Sequence, residues 1–395
     1  MPHRRLILSF WFLPLWLGAQ LAEVPEKLPS FPGEARDDAV AVFHEGKIYG
    51  GFGLGSSFGY LNDWWVFDTL SRNWEPLPDA PLAARQYVRS FKYRDKLYLF
   101  GGTNGGRAFA ELWTYDFATG AWQALDSLPL TERWAGLALR IDDYAYFGLG
   151  RDFHKHYRDL WSLNLNTGHW KRCADFPAEG RANFAHFSLG HRLAVVGGSR
   201  DSAGVLRFYD DIWFYNPRLD RWEQGAKLPR ASAYPYYSAT YHGAITLGGF
   251  YQENGVNRSQ ASSIRFNRQG GFVEQGSIKG PWRRGGNLIY DGEDRLYVLW
   301  GLDSTFQRLN QFAFWRLDQK TEPSWTIYPN PLRGNWLWFQ PEATGELRIY
   351  NTAGQQVWTH SVNEPALQIL HLNRLPAGLY FCRFRDEVKR LLITN

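Results

Sequence analysis

The sequence predicts an all-β chain: a six-bladed β-propeller over residues 20–320, then a small antiparallel β-sandwich over 326–395. Three observations carry this expectation. Pairs of tryptophans nine residues apart recur about every fifty residues. A glycine doublet or its remnant precedes each pair. The register stops near Lys320, and shorter alternating segments follow. A period near fifty is the mark of a repeat architecture in which one unit cannot bury its own faces. Radial packing of four-stranded units buries them and keeps the edges short.

The first residues read as an export leader. His3, Arg4 and Arg5 form a basic start, residues 6–17 are apolar, and Gly18-Ala19 offers a cleavage site, so residues 1–19 are a signal peptide with Gln20 as mature start. No later stretch is apolar for long enough to cross a bilayer, so no transmembrane segment is expected once the leader is removed.

The tryptophan pairs are Trp65/Trp74, Trp113/Trp122, Trp161/Trp170 and Trp213/Trp222. Ile264/Val273 continues the register more weakly, and Trp315 with Asp318 begins a sixth unit. The doublets are Gly50-Gly51, Gly101-Gly102, Gly148-Leu149-Gly150, Gly197-Gly198, Gly248-Gly249 and Trp300-Gly301. Before each doublet comes a hairpin with a short polar turn, such as Arg94-Asp95. Each unit therefore reads as four strands, with period-two alternation in Leu97-Tyr98-Leu99-Phe100.

The sixth unit lacks an outer strand. Residues 24–32 resemble the stretch that ends other units, and the step from Pro32 to Arg36 repeats that from Pro81 to Arg85 and from Pro129 to Arg133. The N-terminal segment is expected to close the ring, because otherwise it has no partner sheet. The competing closure uses Trp325. Taken together, the units resemble the kelch repeat over residues 22–318, and kelch propellers close through their N-terminus in this way.

The segment after Thr321-Glu322-Pro323 resembles the type A sorting domain of type IX secretion. The resemblance rests on Tyr328-Pro329-Asn330-Pro331, on residues 347–358 with a turn at Ala353-Gly354, on residues 375–384 with Gly378 and Tyr380, and on residues 388–393. It implies export past the outer membrane of a Gram-negative bacterium. The type IX machinery is then a partner, and the product is released or held at the cell surface.

Composition narrows the chemistry. A formal charge of +5 and no block of Lys or Arg give no reason to expect nucleic acid. The two cysteines, Cys173 and Cys382, fall in different domains, so stability is not expected to rest on a disulfide. The copper constellation of galactose oxidase, which shares the kelch repeat, is not found. His154-x-His156 could hold a metal but has no third ligand in view, so no metal or cofactor is expected. Arg36, Arg85, Arg133, Arg181 and Arg284 occupy equivalent positions in five units, and blade five has Ala233 there, followed by Tyr234. They are read either as bonds to carbonyls of neighbouring blades or as a ligand-binding ring with Tyr234. Two functions follow. One is a binding protein whose loop face takes a glycan or protein. The other is an enzyme acting on a sugar acid, by analogy with kelch-type sialic acid mutarotases, with His154, Glu253 or Asp303 as acid–base groups.

Overall fold

The computed structural model describes residues 25–317 and 325–394, apart from 126–127, 203, 241–242, 254–255, 260–261, 268–269, 276–283, 329–331, 334–335, 342–343, 364–367, 373–374 and 385–386. The predicted leader, the predicted linker and Pro329, Asn330 and Pro331 lie outside the described residues. Two compact units result, one within residues 25–317 and the other within 325–394.

The first unit holds six four-stranded antiparallel sheets among the described residues. Blade one comprises Val40–His44, Lys47–Gly51, Trp64–Asp68 and Asn73–Leu77, and the next four repeat this order. The first strand of every blade touches that of the next, and Asn287–Tyr290 of blade six returns to Val40–His44, so the ring closes. Its seal is the N-terminal strand Glu26–Leu28, which pairs antiparallel with Phe312–Arg316, Leu28 facing Phe312. Trp325 instead lies in Trp325–Tyr328, paired with Trp336–Pro341 of the second unit, so the competing closure is corrected.

The second strands are buried almost throughout, as in Lys96–Phe100 and Arg192–Val196, whereas the outer strand Asn73–Leu77 exposes three of its five residues. The tryptophans fill the space between blades. Trp64, fully buried, meets Trp122 edge to face at 5.3 Å, and Phe31 meets Trp65, Trp74 and Trp300 at 5.1–5.2 Å.

Two registers need correction. In blade one the residues equivalent to Gly101-Gly102 are Phe52-Gly53, not Gly50-Gly51: both pairs follow the second strand with left-handed φ, 61° and 97° against 70° and 99°. In blade six, Ala313 occupies the place of Trp113, because Phe312 pairs with Leu299 as Leu112 pairs with Phe100; Trp315 sits two residues further on.

The second unit is a β-sandwich. A three-stranded sheet, Trp325–Tyr328, Trp336–Pro341 and Gln368–His371, accompanies a five-stranded one built from Leu332–Arg333, Glu387–Thr394, Gly378–Phe384, Gly345–Tyr350 and Gln356–Val362. Leu337, Phe339, Leu347, Ile349, Cys382 and Leu391 are fully buried in its core. One pair is parallel, Leu332–Arg333 against Ile393 and Thr394, where an antiparallel sandwich was expected. Gly354 takes φ +79° in the predicted turn, and Tyr380 donates to the Pro376 carbonyl at 2.8 Å beside Gly378.

Candidate functional site

Arg36, Arg85, Arg133 and Arg181 are 0–1% exposed and make one repeated set of contacts. Each Nε donates to the carbonyl two residues back, from Glu34, Ala83, Thr131 and Glu179. Each Nη1 donates to the carbonyl of the first doublet residue of its own blade: Phe52, Gly101, Leu149 and Gly197. Each guanidinium also pairs with a carboxylate just before the third strand: Asp63 at 2.5 Å, Glu111 at 2.8 Å, Asp159 at 2.7 Å, and Asp211. That carboxylate accepts in turn from the indole two residues on, Trp65, Trp113, Trp161 or Trp213. The carbonyls are thus in the same blade, not a neighbouring one. The neighbour is reached by the backbone instead. The second doublet residue of the preceding blade donates its N–H to the arginine's own carbonyl, as Gly53 does to Arg85, Gly102 to Arg133, Gly150 to Arg181 and Gly301 to Arg36.

The acidic partner was missed in the sequence, although its signal is there: an acid stands two residues before the first tryptophan of each of the four pairs.

The same bonds reset blades five and six. Gly198 donates to Ser232, so Ser232, not Ala233, stands in the arginine position of blade five. Arg284 exchanges backbone bonds with Leu302 as Gln86 does with Thr103, so it stands one residue beyond the other arginines.

Two residues beyond the arginine position the chain turns left-handed in every blade, at Asp38, Tyr87, Ala135, Asn183, Tyr234 and Gly285. The N–H of each donates to the carbonyl of the preceding one for five of the six, from Asp38 to Gly285 around to Tyr234 to Asn183. This belt of backbone bonds frames the mouth of the central channel, a cavity of about 300 Å³. Deeper in, the channel is lined by Arg89, His186 and Tyr237.

The mouth carries the polar groups that the blades do not consume. The Arg284 guanidinium lies 5.0 Å from the Phe250 ring, 5.1 Å from Phe306 and 5.9 Å from Tyr234. Among the described residues it donates no hydrogen bond, and its buried Nε has no partner. Burial in the channel wall and then the Asp37 charge push the Asp38 carboxyl well above its ordinary value, against the pull of Arg284 and a hydrogen bond from Tyr87. Asp37 is held by Arg308 at 2.6 Å. Burial also raises the Tyr234 phenol, which Arg284 and Arg151 oppose.

The predicted acid–base candidates sit elsewhere. Glu253 pairs with Arg258 at 2.7 Å, and Asp303 caps its own turn by accepting from Thr305 and Gln307. His154 and His156 lie in a loop with Arg151 and Lys155. Among the described residues, the group whose donor atoms lie close enough to share a metal is His44, Glu45 and Asp95 on two hairpin turns, with His44 Nε2 3.9 Å and 4.0 Å from the carboxylates. Lys92 lies near enough to oppose a cation there.

Comparison with known proteins agrees with this architecture. Residues 22–198 match the KLHDC2/KLHL20/DRC7 Kelch-repeats domain, and residues 326–393 match the Secretion system C-terminal sorting domain. A solved protein described as "Structure of YjhT" superposes with a TM-score of 0.59 at 17% identity, over 73% of this chain and 96% of that one. No curated protein sequence matches the chain. The chain is a kelch-repeat β-propeller followed by a type IX secretion sorting domain.

Proposed function

We propose that this secreted propeller is a binding protein whose channel mouth takes a carboxylate-bearing ligand, an acidic glycan or an acidic protein segment. Export begins with the leader at residues 1–19 and ends with recognition of the tail by the secretion machinery. The observation that carries the ligand reading is Arg284, a guanidinium without a hydrogen-bonding partner among the described residues, walled by Phe250, Phe306 and Tyr234. A carboxylate accepts a charge-assisted bond from such a group, and the rings offer faces to a sugar.

Asp38 favours a second reading, turnover of a sugar acid. Its raised carboxyl sits beside the Tyr87 phenol at the same mouth, and an acid–base pair near a bound substrate can move a proton.

A screen of acidic and neutral glycans and acidic peptides against the full chain tests both readings. Acidic ligands are expected to bind, more weakly as salt rises. Arg284→Ala should weaken them by about tenfold or more, the value of one charge-assisted bond. Equal affinity in wild type and Arg284→Ala would remove the mouth as the site. Turnover of a bound sugar acid, lost in Asp38→Asn, would favour the enzyme.

A further inference from the structure

A second pocket opens on the loop face between blades three and four. It has a volume of about 330 Å³ and lies between the loop that follows Tyr144–Gly148 and the hairpin Ser199–Ser202 with Val205–Phe208. Arg151, Lys155, His154 and His156 come from the loop, Arg200 and Asp201 from the hairpin.

The charge count there is lopsided. Asp152, next to the pocket, is consumed by its own turn: it accepts from the backbone N–H groups of His154 and Lys155 at 2.7 Å and from the Tyr157 hydroxyl at 2.6 Å. Asp201 is the one acid lining the pocket among the described residues, 3.9 Å from Arg151. Arg200 spends one N–H on the Gly180 carbonyl at 3.3 Å, and Arg151 spends its Nε on the Asp152 carbonyl at 3.2 Å. Two guanidinium groups and an ammonium thus face one carboxylate. The blade arginines differ, since each is matched to its own acid.

An aromatic wall adjoins the cations. Trp134 and Phe153 pack with ring centroids 4.7 Å apart, Phe153 is about half exposed, and Arg151 covers Trp134 at 5.4 Å. A cationic cleft alone would hold any small anion. A cleft beside an exposed aromatic edge suits an anion attached to a ring with a flat apolar face.

We infer that this pocket binds a sugar bearing a sulfate or phosphate ester, the ester oxygens on Arg151, Arg200 and Lys155 and the sugar ring against Phe153. The pocket adjoins the mouth, since the Arg151 charge reaches Tyr234, but Arg284 does not line it and neither reading needs the other. His156 adds a proton coupling. Burial and then Arg151 and Arg200 hold its imidazole down at about 4, with Asp201 and Asp152 opposing. Lys155 and His154 are the other titratable groups lining the pocket. A bound anion beside the ring offsets the arginines, so ligation draws a proton on to His156. Affinity for a sulfate ester, whose own charge is fixed, rises as pH falls from 7 to 5.

Calorimetric titration of the full chain with glucose 6-sulfate, glucose 6-phosphate, glucose and inorganic sulfate tests the inference. One or both esters should bind, and which one does identifies the ester; glucose should not bind. Arg200→Gln and the exposed Lys155→Ala should each weaken the ester by about tenfold. Phe153→Ala should weaken the ester but not inorganic sulfate, and His156→Gln should flatten the pH dependence. Arg284→Ala should leave all of this unchanged. Failure of both esters to bind at millimolar concentration would overturn the inference. So would unchanged affinity in both Arg200→Gln and Lys155→Ala, or inorganic sulfate as tight as the esters.

Discussion

Blades one to four and blades five and six solve one packing problem with different side chains. In the first four, a buried arginine ties together the start of the blade, the carbonyl of the doublet and a carboxylate that also holds a tryptophan. In blade five the arginine position is Ser232, and Ile264 replaces the paired tryptophan. In blade six the tryptophan position is Ala313. The fold survives because the backbone latch from doublet to neighbouring carbonyl persists, from Gly198 to Ser232 and from Gly301 to Arg36. Arg284 and Tyr234, which stand just beyond the arginine position, lie in this half. The repeated arginines are spent on holding their blades together, and the arginine out of phase, Arg284, is the one the proposed ligand reading rests on.

The comparison breaks most severely if the ring is opened. A chain lacking residues 25–32 loses Glu26–Leu28 from blade six and the fully buried Phe31, which touches Trp65, Trp74 and Trp300. Removing one buried aromatic costs about 3–5 kcal/mol, and the strand edge adds to it, so a loss of about 5 kcal/mol or more is expected in urea unfolding. A small loss would mean that the irregular half does not depend on this strand.

A matched pair of substitutions sharpens the contrast between the halves. Arg133→Ala takes the guanidinium from the Leu149 and Thr131 carbonyls and leaves Asp159 only the Trp161 indole, and breaking a buried pair costs about 3–5 kcal/mol. Arg284→Ala removes a half-buried side chain with no such bonds among the described residues and loses only its contacts with three rings, so it should cost about 1 kcal/mol. Equal costs would erase the distinction drawn between structural and ligand-directed arginines.

The sequence displays what repeats. The tryptophan spacing, the doublets and the step from Pro32 to Arg36 were enough for the blades and the closure by Glu26–Leu28, and the short alternating segments with turns at Gly354 and Gly378 were enough for the sandwich. It hides what depends on register and on pairing across distance. Phe52 stands where glycine was expected, taking a left-handed φ that is costly for a residue with a Cβ while burying its ring completely, and the string Gly50-Gly51 draws the eye two residues early. Arg284 looks equivalent to Arg133, and only backbone bonding shows the one-residue offset. Asp38 is one acid among many until the belt of left-handed residues puts it at the channel mouth.

The boundary between the two halves carries an effect smaller than the loss of the closing strand or of Arg133. His186 in blade four lines the channel at 6% exposure. Its Nε2 lies 3.3 Å from the Ala138 carbonyl and its Nδ1 2.9 Å from the Tyr237 hydroxyl of blade five. A neutral imidazole satisfies both, donating through Nε2 and accepting at Nδ1. Burial and then Arg89 press its value down to about 3. The folded state therefore refuses a proton that the unfolded chain accepts near pH 6.5, so the unfolded state binds more protons throughout this window. Stability is present above pH 6.5 and is lost as pH falls towards 3, by about 1.4 kcal/mol per pH unit, or about 2 kcal/mol between pH 6.5 and 5. Glutamine can offer a donor and an acceptor at the same place without titrating. His186→Gln should thus be slightly less stable than wild type at pH 7.5, while the gap narrows or reverses at pH 5. Urea unfolding of both proteins at the two pH values measures this. Parallel pH profiles would mean that the imidazole takes its proton in the folded channel as readily as in water, and that the channel between the halves is more open to solvent than its packing implies.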